Sequence, residues 1–172
     1  GIKIASPMTP NEYVSVYNKF MQDDEVYYIS EHRKSYDNSL ELKDDLNFKQ
    51  YDVIIFAISI TRFETLKAKK ILDKQKIKIG IVNILWIKPL YIKKKWIKSL
   101  DSSRYGGVVI DDDYQEGAAK SIANDLNLKT GKKIFTMGLK NKSAGFHKKV
   151  DNLPPSANEI VKKINQIISF KK

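Results

Sequence analysis

Apolar residues follow two rhythms along this chain: short β-branched runs alternate with longer stretches whose apolar positions lie three and four apart. IKIASP, residues 2–7, reads as a strand ending at Pro7. MTPNEYVSVYNKFMQ follows as a helix, with Thr9 as its cap, Pro10 in its first position and Tyr13, Val16, Tyr17 and Phe20 at helical spacing. The acidic knot Asp23, Asp24 and Glu25 ends that helix, and Val26 to Ser30 is the next strand. From Glu31 to Gln50 no period is sustained, so this stretch reads as a polar linker over the surface.

A cleaner series starts at Tyr51. DVIIFAIS is a nearly continuous β-branched run, the form of a strand covered on both faces by helices. Thr61 is the expected cap of a helix through Lys74, with Phe63, Leu66, Ile71 and Leu72 on its apolar side. Ile77 to Leu85 is a strand, Pro89 opens a turn, and Tyr91, Ile92, Trp96, Ile97 and Leu100 form a helical stripe up to Asp101. GGVVIDDD is a third strand and AAKSIANDL a helix; KKIFTMG is the fourth strand, and ANEIVKKINQIISF, capped by Ser156, the closing helix. Four strand-then-helix units in series predict an α/β fold: a three-layer α/β/α, mostly parallel sheet with right-handed crossovers over residues 51–172. A partial α/β segment at 1–32 and the linker at 33–50 precede it. A first strand with nothing before it to pair with suggests a processed chain or a fragment.

Composition removes several chemistries. With no cysteine, disulfides, zinc fingers and thiolate nucleophiles are excluded, and two histidines, His32 and His147, are too few for a multi-histidine metal centre. No stretch approaches the ~20 apolar residues of a membrane span, and the first ten residues lack the form of a secretory signal, so a soluble, cytoplasmic protein is expected. The net charge of +11 invites a nucleic-acid reading, but its distribution weakens it. Residues 1–50 hold 6 Lys/Arg against 9 Asp/Glu, leaving 25 against 11 for the rest, and only Arg33, Arg62 and Arg104 are arginine. Base-edge and bidentate phosphate recognition favour the arginine fork, so this is read as a general lysine bias with a weak attraction for anions.

The best-placed candidate site is Asp111, Asp112 and Asp113 with Glu116 and Gly117, because parallel sheets bind ligands beyond the carboxyl ends of their strands. Carboxylates there could hold a metal ion or act as an acid and base pair. The plainer reading, preferred here, has them on a solvated strand end, complementing the positive end of the next helix. His32 with Arg33, and His147 beside Lys148 and Lys149, are candidate anion contacts, although a surface histidine in a basic loop is the commoner case. Trp86 and Trp96 fall in apolar stripes and are expected in the core. GxGxxG and GxxxxGK[ST] are both absent, and no nucleophile with a visible base can be named.

The order of these pieces resembles a known family. GIKIASPMTPNEYVSVYNKFMQDDEVYYISEH, residues 1–32, is similar to the end of the pyrimidine-binding domain in the beta subunit of thiamine-diphosphate-dependent 2-oxoacid dehydrogenases, as in pyruvate dehydrogenase. The remainder resembles the transketolase C-terminal domain: DVIIFAIS, a helix, IKIGIVNIL running into Ile87, Lys88, Pro89 and Leu90, a helix, GGVVIDDD, Glu116 and Gly117 opening a helix, then Leu153, Pro154, Pro155 and Ser156 before the last helix. The resemblance implies part of an oxidoreductase or transferase that uses thiamine diphosphate and magnesium, with the cofactor-activating glutamate lying before Gly1. It implies a structural and subunit-contact role, inactive alone, with the remainder of the enzyme or an alpha subunit as partner. It also implies a homo- or hetero-oligomer that can dock an acyltransferase core. Family beta subunits sometimes bind potassium through backbone oxygens at a helix end, which corresponds to Phe20, Asp23 and Glu25. Two alternatives stand beside it: a basic anion- or nucleic-acid-binding module, and a flavodoxin-like regulatory domain. The latter needs a lysine near the acidic strand ends, whereas Lys133 precedes its strand.

Overall fold

A computed structural model describes residues 1–47, 49–143 and 152–170. The N-terminal layer comprises β1 (Lys3–Ala5), α1 (Pro10–Met21) and β2 (Tyr27–Ile29). Thr9 caps α1 as its sequence predicts, its side chain accepting the Glu12 N–H, with Pro10 in the first turn. The chain then passes through a 3-10 turn at Arg33–Ser35 into β3 (Val53–Ile58), α2 (Thr61–Lys74), β4 (Ile79–Ile84), β5 (Trp86–Lys88), α3 (Lys94–Asp101), β6 (Gly107–Tyr114), α4 (Ala118–Thr130), β7 (Ile134–Leu139) and α5 (Ala157–Ser169).

The large sheet has the order β4-β3-β6-β7 and is parallel throughout, as the alternation of strands and helices predicts. Successive side chains of β3 go to opposite faces. Val53, Ile55 and Ala57 pack with Ala68 and Leu72 of α2 and Ile160, Ile164 and Ile167 of α5. Ile54, Phe56 and Ile58 pack with Trp96 and Leu100 of α3 and Ala119, Ile122 and Leu126 of α4. Every β3 residue is buried, which is why its sequence shows no polar alternation. Gly106, at φ +86, lets the chain enter β6 where a Cβ would meet the Lys133 carbonyl oxygen.

The smaller sheet has the order β2-β1-β5 and joins the two parts of the chain. β1 pairs in parallel with β2 and antiparallel with β5, a strand that sequence patterning does not announce. The 33–50 segment runs over the surface yet is tied down. Asp45 and Ile81 exchange both backbone hydrogen bonds, at 2.8 and 2.9 Å, covering the outer edge of β4, and Leu46 is buried beneath.

Three local expectations are corrected. Thr61 is the first residue of α2 and not its side-chain cap; its Oγ1 lies 2.6 and 3.1 Å from the carbonyl oxygens of Ile58 and Ile110, bracing the strand ends. The stripe through Tyr91 and Ile92 begins before any helix, since α3 starts only at Lys94. Trp96 is core, but Trp86 is only partly buried, because it belongs to β5. No helix among the described residues is long and apolar enough to cross a membrane.

Ser156 closes a full capping box on α5: its Oγ accepts the Glu159 N–H and the Glu159 carboxylate accepts the Ser156 N–H at 2.9 Å. Ser156→Ala is expected to cost about 1 kcal/mol, lowering the thermal midpoint by about 2–4 °C in a calorimetric scan.

Candidate functional site

β4 lies on one side of β3 and β6 on the other, so the connections leave the central strand in opposite directions. The crevice beyond the carboxyl ends of β3 and β6 is therefore the switch point where open α/β sheets place ligands. Ser59 follows β3 at φ +52, an uncommon conformation for a non-glycine, and its Oγ donates to Asp112 Oδ2 at 2.6 Å. Asp111 is 3 % exposed. Burial, and after it the negative charge of Asp112, pushes its carboxyl up to about 7. Asp113 has turned outward and is exposed, since the pairing of β6 with β7 shifts register after Ile110. The three aspartates therefore do not converge, and among the described residues no group of three or more His, Cys, Asp or Glu could hold a metal ion. The carboxyl pair can hold a proton, and no imidazole among the described residues is hydrogen-bonded to Ser59.

The crevice is filled by the chain itself. Met8 is buried there, its Sδ 3.9 Å from Ser59 Oγ, and the flanking Pro7 and Thr9 are buried too. Arg62, at the start of α2, is 0 % exposed. Its Nη1 and Nη2 donate to Glu12 Oε2 and Oε1 at 2.8 and 2.5 Å, and its Nε donates to Asn83 Oδ1 at 3.2 Å. Glu12 Oε2 also accepts the Met8 N–H at 3.0 Å, so one carboxylate clamps the plug and the arginine together. Sequence reading misses this Glu12–Arg62–Asn83 constellation; the available signal is one of only three arginines in a lysine-rich chain, in the first turn after a buried strand.

Residues 45–148, well over half of the chain, match the family described as transketolase, C-terminal domain. The chain belongs to that family. The solved structure of a split-gene transketolase, an inactive beta4 tetramer, shares the fold at a TM-score of 0.74 and 15% identity, over 99% of this chain and 58% of that one. The chain thus spans less than two thirds of that relative's length. A search of curated proteins finds no match.

Transketolase C-terminal domains belong to thiamine-diphosphate enzymes, and the other predicted residues can be placed in that setting. Glu116 pairs with Lys120 at 2.5 Å and Gly117 precedes α4, both on the exposed side. His32 Nδ1 accepts the Lys34 N–H at 3.2 Å and caps the 3-10 turn, beside an exposed Arg33. His147 lies outside the described residues. Lys133 sits at the amino end of β7, its Nζ 4.9 Å from the Phe135 ring centroid, away from the aspartates at the carboxyl end of β6, so it does not supply the lysine a receiver places beside them. At the end of α1 the Asp23 carboxylate accepts from Lys3 and, at 2.7 Å, from the Tyr27 hydroxyl, and these partners hold it down at about 2. The Phe20 carbonyl accepts the Asp23 N–H at 3.4 Å, Phe20 packs edge-on to Tyr27, and Glu25 is exposed. Lys3 occupies the Asp23 side chain and not the backbone oxygens through which the resemblance has potassium held.

Proposed function

We propose that this transketolase C-terminal domain and its N-terminal layer form the carboxy-terminal portion of a thiamine-diphosphate-dependent enzyme of the 2-oxoacid dehydrogenase beta-subunit type. Its role is to buttress the cofactor-binding part and to make subunit contacts, and alone it has no activity. The observation that carries this reading is the asymmetry of its surface. Nine of the fourteen exposed large apolar residues among those described fall within residues 1–40, including Val14, Tyr17, Met21, Val26 and Tyr28 on and beside α1 and β2. β2 also leaves its outer edge without a strand partner among the described residues. Such a layer is suited to continue into a larger sheet or against another subunit.

Thiamine catalysis requires a buried carboxylate for the pyrimidine ring, a diphosphate and magnesium site, and a dry pocket. The residues present do not fit that cofactor: Met8 is buried against Ser59 in the switch-point crevice, and the partly buried carboxylate Glu12 is held by Arg62. No step of the reaction is assigned to them. The partners expected are the remainder of the enzyme or an alpha subunit, in a homo- or hetero-oligomer, with an acyltransferase core as a further docking partner. The similar split-gene transketolase is an inactive beta4 tetramer, which supports assembly without activity. Calorimetric titration of thiamine diphosphate and magnesium into the isolated chain is expected to give no binding heat; micromolar binding would overturn the reading. Sedimentation is expected to show self-association, and a monomer at high concentration would count against the contact role.

A further inference from the structure

A second concavity, separate from the plugged crevice, opens where α1, the 42–44 strap, the end of β4 and the β5–α3 connection meet. Its volume of ≈ 370 Å³ lies in the range of small-molecule sites. Asn83, at the carboxyl end of β4, forms part of its lining together with Glu12 and Asp44, but these three polar groups are already engaged. Glu12 is held by Arg62. Asp44 accepts the Asn83 N–H at 2.8 Å and the Trp96 Nε1–H at 2.7 Å, and Lys93 stands 3.6 Å away. Asn83 donates to the Lys43 carbonyl at 2.8 Å and accepts from Arg62.

What else borders the open space is of two kinds. The first is aromatic surface: the partly buried Trp86 and the exposed Tyr91 line the cleft, and the buried Trp96 reaches it with its indole N–H already given to Asp44. The second is positive charge. The Lys19 ammonium lies 4.9 Å from the Trp86 ring centroid and 5.6 Å from that of Tyr91, and Lys43 lies in the lining; neither has a carboxylate partner among the described residues. Lys93 adds a third ammonium, 5.3 Å from the Trp96 centroid, though it is already paired with Asp44 at 3.6 Å. Flat ring faces bordered by lysines suit a ligand that joins a planar aromatic body to an anionic group: the body stacks against Trp86 and Tyr91 while the ammoniums meet the charge. An aliphatic anion would leave the ring faces unused, and an aromatic cation would face the lysines.

We propose that this cleft binds a small planar aromatic anion, the chemistry shared by aromatic carboxylates and nucleoside monophosphates. Trp86 and Trp96 are the only tryptophans, so their two indole N–H signals in a nitrogen-proton NMR spectrum both report on the cleft. The full chain would be titrated separately with 2-naphthoate and adenosine 5′-monophosphate, with cyclohexanecarboxylate and 2-naphthylmethylamine as controls. Saturable shifts of both indoles with naphthoate, with the nucleotide or with both are expected, and they distinguish the two sources. The double variant Lys19→Ala/Lys43→Ala, and separately Tyr91→Ala, should weaken binding about tenfold or more, with the remaining amide spectrum confirming the fold. Indoles unmoved at millimolar probe, equal responses to either control, or unchanged affinity in the variants would overturn the proposal.

Discussion

Replacing Glu12 by alanine is expected to destabilise the chain by about 3–5 kcal/mol, because it strands a buried guanidinium without its counter-charge. Arg62 is fully buried, its two terminal nitrogens are taken by Glu12, and Asn83 receives only Nε. Desolvation of the arginine is tolerated only while the bidentate carboxylate is present. At about 2–4 °C per kcal/mol for a chain of this size, the thermal midpoint should fall by about 6–20 °C. The double variant Glu12→Ala/Arg62→Met removes both charges, and most of the loss should return, since apolar replacement of a complete buried pair is often neutral. Glu12 lies on α1 and Arg62 on α2, so loss of the clamp should also free the N-terminal layer. Trypsin should cut the single variant near Arg33 and Lys34 faster than the wild type under native conditions. A midpoint within a degree or two of the wild type would mean that the clamp does not hold the two layers together.

The parts of this architecture legible in sequence are those set by local rhythm. β3 and β4 are buried on both faces and therefore read as unbroken apolar runs, and α1 and α5 carry side-chain caps at Thr9 and Ser156 beside their amphipathic stripes. What escaped was set by distance. β5 has three residues, too few to show alternation, and pairs with β1 more than eighty positions earlier. Glu12 and Arg62 are fifty positions apart, and neither looks different from a surface residue in its own window. The 33–50 segment is polar on average, so Leu46 and Asp45, which seal the edge of β4, are lost in the mean. The aspartate cluster lies between these cases. Its place at a strand end was readable, whereas the pleat and the register shift after Ile110, which bury Asp111 and expose Asp113, are properties of the assembled sheet.

That difference between neighbouring aspartates predicts an unusual dependence of stability on pH. An unfolded aspartate ionises at about pH 3.9, whereas burial beside Asp112 raises native Asp111 to about 7. Between those values the native chain keeps a proton that the unfolded chain has released. The stabilisation from this group is therefore complete below about pH 4 and lost as pH rises through about 7, the reverse of an ordinary paired carboxylate. Above pH 7 the cost is constant, with an upper bound of about 4 kcal/mol from a shift of about three pH units. Asp111→Asn removes the ionisation while keeping the shape, an N–H donor toward Asp112 and an oxygen for the Asp113 N–H, which lies 3.4 Å from Asp111 Oδ1. The variant should therefore be more stable than the wild type at pH 8, by up to about 10 °C in thermal midpoint, and the two should converge near pH 4. Asp113→Asn, at an exposed position, should follow the wild-type profile. Denaturant titrations of the three proteins from pH 4 to 8 decide the matter: parallel curves for wild type and Asp111→Asn would show that Asp111 stays ionised in its crevice and that the Asp111–Asp112 pair holds no proton at neutral pH.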